Sequence, residues 1–116
     1  MRALDRKDLL GILNLSRFTA FDFETTGLDP VHDRIIEIAA IRFEDGEITD
    51  RFVHLINPER HISNMITEIT GISNQMVQKA PTEETIIDDF LDFLGTDPLV
   101  AHNIHFDEQF LTQLCE

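Results

Sequence analysis

Apolar residues recur with two different periods along this chain, and the two periods divide it into strands and helices. Residues Phe18 to Glu24 (FTAFDFE) are Phe-rich and end at Thr25, Thr26 and Gly27, which suit a loop. This stretch reads as a first strand, and Asp29-Pro30 continues the loop after it. Arg34 to Phe43 contains IIEIAAI, a near-continuous apolar run suited to a strand buried on both faces. Asp45-Gly46 is a hairpin signal. The alternation from Ile48 to Ile56 then predicts a third strand, antiparallel to the second and ended by Asn57-Pro58.

Beyond residue 60 the period changes to that of a helix. Ser63 to Gln78 holds two short helical candidates around Ile66 and Met76, with Gly71 as the breaker between them. Pro81-Thr82 opens a clearer helix. Thr82 stands at the N-cap, and Glu83 and Glu84 lie where the helix dipole favours negative charge. Ile86, Ile87, Phe90, Leu91 and Leu94 keep helical spacing up to the stop at Gly95. Pro98 to Ala101 is a short apolar strand. Asn103 is placed to cap a last helix whose apolar face is Phe106, Phe110, Leu111 and Leu114.

The predicted order is β-β-β-α-α-β-α. Helices separate the first strand from the one near residue 100, so these two are expected to be parallel, in an α/β fold with a mixed sheet. Residues 1–16 are read as a leader that could form a short helix, and 17–116 as one domain. No repeat, low-complexity stretch or linker divides the chain.

Composition narrows the class. At 116 residues, with 42% apolar and 27% charged residues, the chain suits a single globular domain. Twenty-two acidic residues against nine basic ones give a net charge of −13. That argues against a DNA-binding module with a broad basic patch. It leaves room for an enzyme that meets phosphates through divalent cations. One cysteine, Cys115, excludes an internal disulfide framework. No apolar run approaches the roughly 18 residues that span a bilayer. The charged start MRALDRKDLLG lacks a signal-peptide core, so a cytoplasmic location and no membrane partner are expected.

Three acidic residues carry candidate chemistry. Asp22 and Glu24 are two apart in a strand, so their side chains leave the same face. They lie at its C-terminal end, where open α/β sheets place ligands. Asp107 follows the Leu99–Ala101 strand near the start of a helix. If the two strands are neighbours, the three carboxylates converge. Unpaired carboxylates in proximity raise one another's pKa, and a divalent cation resolves that conflict. Oxygen ligands suit Mg²⁺ or Mn²⁺. Asp22 is expected to be the most enclosed of the three.

FDFETTGLDP (Phe21 to Pro30), RIIEIAAIRF (Arg34 to Phe43), TGI (Thr70 to Ile72) and LVAHNIHFDEQFL (Leu99 to Leu111) follow in an order that resembles the DEDD 3′–5′ exonucleases. The nearest likeness is to the proofreading epsilon subunit of bacterial DNA polymerase III and the matching domain of Gram-positive replicative polymerases. The resemblance runs from about Phe18 to the end. It implies a ribonuclease H-like sheet and a site with two Mg²⁺ or Mn²⁺ ions that hydrolyses phosphodiesters at 3′ ends. Asp22, Glu24 and Asp107 match the metal-holding positions. Thr25, Thr26 and Gly27 match the turn that meets the 3′-terminal nucleotide, and His102, Asn103 and Phe106 match positions beside it. The implied partners are single-stranded or 3′-frayed DNA, with RNA as an alternative substrate, and a DNA polymerase subunit.

The family also carries a later motif, a His followed five residues on by an Asp, which supplies the general base and a fourth metal ligand. The sequence ends nine residues after Asp107 without it. The expectation is therefore the N-terminal part of an exonuclease domain, truncated at its C-terminus, with activity lost or impaired and with exposed apolar surface that invites self-association. A non-catalytic nucleotide- or polymerase-binding remnant is the alternative. Thr70 stands where close relatives often place His before Gly-Ile. His32, His54 and His61 read as surface histidines. His105, close to Asp107, falls on the other side of the helix start. Glu37, inside an apolar strand, needs a strand edge or a partner. Asp88, Asp89 and Asp92 read as the wet face of their helix.

Overall fold

The computed structural model describes residues 16–115; the proposed leader helix falls outside them. Four strands form one mixed sheet: β1 (Arg17–Thr25), β2 (Ile35–Glu44), β3 (Glu47–Leu55) and β4 (Leu99–Ala101). Their spatial order is β3-β2-β1-β4. The β2–β3 hairpin turns at Asp45 and Gly46, both at positive φ (51° and 82°), the geometry that matches strand twist. β1 pairs antiparallel with β2 and parallel with β4, as the strand–helix–strand order implies. Both short helical candidates form, as α1 (Asn64–Thr70) and α2 (Asn74–Val77), followed by α3 (Glu83–Leu94) and α4 (Ile104–Cys115). Three helices therefore lie between β3 and β4, one more than the predicted order counted. Ser63 and Ser73 cap the two short ones through their side chains, which is how such brief helices satisfy their first N–H groups. Thr82 sits at the N-cap of α3 without a side-chain bond to the backbone; its hydroxyl meets that of Thr85 at 2.9 Å instead.

Alternation along β1 decides what lies on each face. Phe21 and Phe23 enter the main core with Ile35, Ile38, Ala40, Ile56, Ile86, Phe90, Leu94 and Phe110. Phe90 is fully buried and its ring lies 5.8 Å from that of Phe23 and 5.7 Å from that of Phe52. The even positions of β1 leave the opposite face: Phe18 stacks on Phe43 at one end, and Asp22 and Glu24 stand at the other. A second cluster, Ile36, Ile62, Ile72 and Val77, packs where α1 and α2 approach. Asp88, Asp89 and Asp92 are exposed, as a wet helix face should be.

At the N-terminal end of β1 the sheet is tied by charge. Asp97 accepts from Arg17 Nε (2.8 Å), Thr19 Oγ1 (3.1 Å) and Arg42 Nε (3.3 Å), while Thr19 N–H donates to the carbonyl of Pro98 at 2.9 Å. Burial pushes the Asp97 carboxyl up, but the bonds from Arg17 and Thr19 outweigh it and hold the group below its ordinary value. These bonds fix the entry and register of the three-residue strand β4. Among the described residues β4 has no neighbour on its other side, and Leu99 and Ile104 are exposed. No helix of the described residues is long and apolar enough to cross a membrane.

Truncating Phe90 removes a ring from the middle of the core. Phe90→Ala is expected to cost about 3–5 kcal/mol of stability. Asp89→Ala on the wet face should change it by no more than about 0.5 kcal/mol. Urea unfolding followed by circular dichroism separates the two.

Candidate active site

Parallel pairing of β1 with β4 brings both C-terminal strand ends to one edge, and the sequence-predicted residues gather there in two groups. Thr25, Thr26 and Gly27 follow β1; His102, Asn103, Phe106 and Asp107 follow β4. The last paired residues are Phe21 and Ala101. After them β4 turns into α4, which Asn103 caps by accepting from Phe106 N–H (3.4 Å) and, through its carbonyl, from Asp107 N–H (2.9 Å). Thr19 and Phe23 are four apart in β1, so their N–H groups point to the same edge. Phe23 N–H has run past the end of β4, and Asp107 Oδ1 takes it at 3.3 Å.

That bond seats Asp107 beside the residue lying between Asp22 and Glu24. Asp107 is fully buried, and its Oδ2 has no hydrogen-bond partner among the described residues. Burial, then the charge of Asp22, raise its carboxyl from 3.8 to about 6, against the opposing bonds from Phe23 and Asn103 N–H. Burial also raises Glu24, followed by the charges of Asp22, Glu37 and Asp107. The expectation that Asp22 is the most enclosed carboxylate is corrected here. Asp22 is exposed and Asp107 is the most enclosed. Strand parity sends Asp22 off the face that α3 and α4 cover, whereas Asp107 packs against the sheet edge.

Glu37 joins this group. Its cross-strand partner is Glu24, in an inner strand rather than at an edge. Burial and Asp22 raise its carboxyl, with no cation compensating. A register shift between Glu24 and Thr25 ends the regular pairing immediately after this position, a place where bulges commonly re-aim side chains. Sequence reasoning set Glu37 aside because nothing in the sequence states the β1–β2 register; the alternation of Glu37 with Ile36 and Ile38 was the available signal. Among the described residues no three His, Cys, Asp or Glu side chains close on a common point as a formed metal cluster. The donors are adjacent and mutually repelling, not drawn together.

The neighbours differ in availability. Thr25 is buried and its hydroxyl donates to the carbonyl of Gly27; that of Thr26 donates to Asp33 Oδ1 at 2.9 Å. His102 and Asn103 are exposed, while Phe106 is half-buried against Phe110, ring centroids 4.9 Å apart. His105 is exposed, two helical positions from buried Asp107 and so on another side of α4. Thr70 is occupied locally: its hydroxyl donates to the carbonyl of Ile66 (2.8 Å) and accepts from Ile72 N–H (3.1 Å). His32, His54 and His61 are exposed, as is the free Cys115.

Because the folded-state pKa of Asp107 lies above the unfolded one, its protonated form favours the fold. Stability from this group is full below about pH 3.8 and is lost as pH rises through about 6. Asp107→Asn does not titrate. The melting temperature of Asp107→Asn minus that of the native chain, measured without divalent cations, should therefore increase between pH 4 and 7, as thermal melts across that range would show.

Comparison with known proteins places this geometry. The family model RNase_T, described as Exonuclease, matches residues 19–115. The chain is 47% identical over 100 residues to DNA polymerase III PolC-type of Bacillus subtilis (strain 168), covering 86% of this chain and 7% of that protein. It is 48% identical over 94 residues to the PolC-type polymerase of Thermotoga petrophila, covering 81% and 7%. The chain thus spans about 7% of the length of these curated relatives. Among solved structures, exonuclease X in complex with 5′-overhanging duplex DNA is similar at a TM-score of 0.69 and 34% identity, over 80% of this chain and 52% of that one. E. coli exonuclease I with a dA16 oligonucleotide shares the fold, with a TM-score of 0.73 at 22% identity over 86% of this chain and 23% of that one. With the matched segments spanning both carboxylate-bearing strand ends, the chain belongs to the DEDD-type 3′–5′ exonuclease family, on a ribonuclease H-like fold.

Proposed function

We propose that this chain carries the metal-holding and nucleotide-contacting part of a 3′–5′ exonuclease site that trims single-stranded or frayed 3′ ends of DNA. The observation that carries the reading is Asp107: a fully buried carboxylate whose Oδ2 has no partner among the described residues, bonded to the backbone N–H of Phe23, the residue between Asp22 and Glu24 in β1. A buried, unpaired charge is costly, and Arg17 and Arg42 are engaged elsewhere with Asp97, and Arg34 with Glu83 and Glu84. The donor set, carboxylate oxygens alone, fits Mg²⁺ or Mn²⁺. Asp22, Glu24 and Asp107 would hold the metal. When bound, such ions supply an activated water and charge stabilisation for phosphodiester hydrolysis.

The chain's own residues do the rest. Phe23 N–H holds Asp107 Oδ1, so that the free Oδ2 is the oxygen available to a ligand. Thr25, Thr26 and Gly27 form the wall where a terminal nucleotide would lie, and exposed His102 and Asn103 face the same edge from β4. DNA is favoured over RNA because the 47–48% identical relatives are DNA polymerases. That likeness also supports work as part of, or beside, a polymerase.

Two measurements test the reading. Mn²⁺ titrated into the ¹⁵N-labelled chain should broaden amides around Asp22, Glu24 and Asp107 first; first broadening elsewhere misassigns the site. Gel time courses on 3′- and 5′-labelled oligonucleotides should show the 116-residue polypeptide to be at least about 10²-fold slower than one extended through a His-x4-Asp pair, the range that a general base contributes. Asp22→Ala or Glu24→Ala should abolish activity in the extended form. Robust stepwise digestion that survives Asp107→Ala would remove these carboxylates from the mechanism.

A further inference from the structure

Apart from Pro30, half-buried beside a pocket that Phe110 and Leu114 also line, the loop from Thr25 to Arg34 sets no apolar side chain against the core. Its two large apolar side chains, Leu28 and Val31, are 83% and 64% exposed. What holds it is polar: Asp29 Oδ1 accepts from Val31 N–H (2.9 Å) and His32 N–H (3.3 Å) at the tip, Arg60 donates to the His32 carbonyl, and Asp33 links the tip to the limb that follows β1. Asp33 Oδ1 accepts from Thr26 Oγ1 at 2.9 Å, and Asp33 Oδ2 accepts from Asp29 N–H at 3.0 Å. Asp33 N–H donates to the carbonyl of Asp29 at 2.7 Å. The neck of the loop is closed beside it: Thr26 N–H donates to the carbonyl of Arg34 (2.8 Å), and Arg34 N–H donates to Thr26 Oγ1 (3.0 Å). The same carboxylate lies flat against Gly27. A Cβ added there would meet Asp33 Cγ at 2.7 Å and Oδ1 at 2.8 Å, closer than atoms pack. No positive φ is recorded for Gly27, so the need for glycine is one of space, not of backbone conformation.

We infer that Asp33 is a positioning residue for nucleotide binding: its carboxylate bridges both limbs of the loop and sets the shape that Thr25, Thr26 and Gly27 present to a 3′-terminal nucleotide. The inference rests on the proposed role of those three residues as the nucleotide wall. Asp33 itself touches no substrate in this scheme. It acts by holding the empty loop in its bound shape, so that ordering cost is not charged to binding. Geometry, not charge, is the requirement. An asparagine can accept from Asp29 N–H through its oxygen and donate to Thr26 Oγ1 through its nitrogen, and so rebuild the bridge.

The test uses the ¹⁵N-labelled chain with Mg²⁺ and thymidine 5′-monophosphate as probe, following the amides of Thr25, Thr26 and Gly27. Mn²⁺ affinity is measured separately by electron paramagnetic resonance. Asp33→Ala is expected to weaken nucleotide binding about tenfold, through lost preorganisation, with Mn²⁺ affinity unchanged. Asp33→Asn should bind as the native chain does. Gly27→Ala should weaken binding when Asp33 is present and add no further loss in the Asp33→Ala background, where the crowding is relieved. Equal nucleotide binding by Asp33→Ala and the native chain, with the loop amides shifting in both, would overturn the inference and leave the wall intact. A parallel loss of Mn²⁺ affinity in Asp33→Ala would also overturn it, because Asp33 would then support the whole sheet end. Absence of shifts at Thr25 to Gly27 in the native chain would overturn the wall itself, and the inference with it.

Discussion

The hydrogen bond from Phe23 N–H to Asp107 is where strand pairing gives way to chemistry. β4 is three residues long, and β1 continues past it with a backbone donor that has no strand to meet. A buried N–H without a partner is costly, so the first acceptor on the following helix is drawn to that edge. The acceptor is a carboxylate, and its second oxygen is left without a partner among the described residues. A longer β4 would have satisfied Phe23 through its own carbonyls and kept the helix away. The shortness of one strand thus brings a third carboxylate to two others.

Charge is distributed along the sheet with corresponding asymmetry. At the N-terminal end of β1 the half-buried carboxylate of Asp97 accepts from Arg17, Arg42 and the Thr19 hydroxyl, and is held below its ordinary pKa. Arg42 also lies over the ring of Phe93 at 4.3 Å and donates to the Phe93 carbonyl, so the strand end is packed as well as neutralised. At the C-terminal end Glu24 feels the charges of Asp22, Glu37 and Asp107, and Glu24, Glu37 and Asp107 are each raised, burial being the largest cause. One end is a completed ion-pair network that stabilises the fold. The other is an uncompensated acidic edge, of the kind that persists where something cationic is to be bound. The net charge of −13 runs in the same direction as this acidic edge.

The loops that flank this edge are held by different means. The α1–α2 region packs on its own small apolar cluster around Ile62 and Ile72, and Thr70 is spent on closing its helix end. The Thr25–Arg34 loop instead depends on polar bonds around Asp29 and Asp33, with Leu28 and Val31 outside.

Much of the fold was legible in the sequence because alternation and turn chemistry are local. The Asp45-Gly46 hairpin and the amphipathic α3 each follow from residues within one element, whereas β2, read as buried on both faces, buries Ile36, Ile38 and Ala40 on one face and leaves Glu37, Ala39 and Ile41 on the other half-buried. The placement of Asp22 and Glu24 on one face likewise needs only the period of a strand. Three matters required the tertiary structure, since each depends on residues distant in the chain. The β1–β2 register put Glu37 opposite Glu24. The end of β4 made Asp107, not Asp22, the enclosed carboxylate. The fold of the Thr25–Arg34 loop explained Gly27 by the nearness of Asp33. Local pattern in the chain thus put Asp22 and Glu24 at the end of β1 and Asp107 in the first turn of α4. Only packing decided which of them is buried, because burial depends on what the neighbouring strand and helix cover.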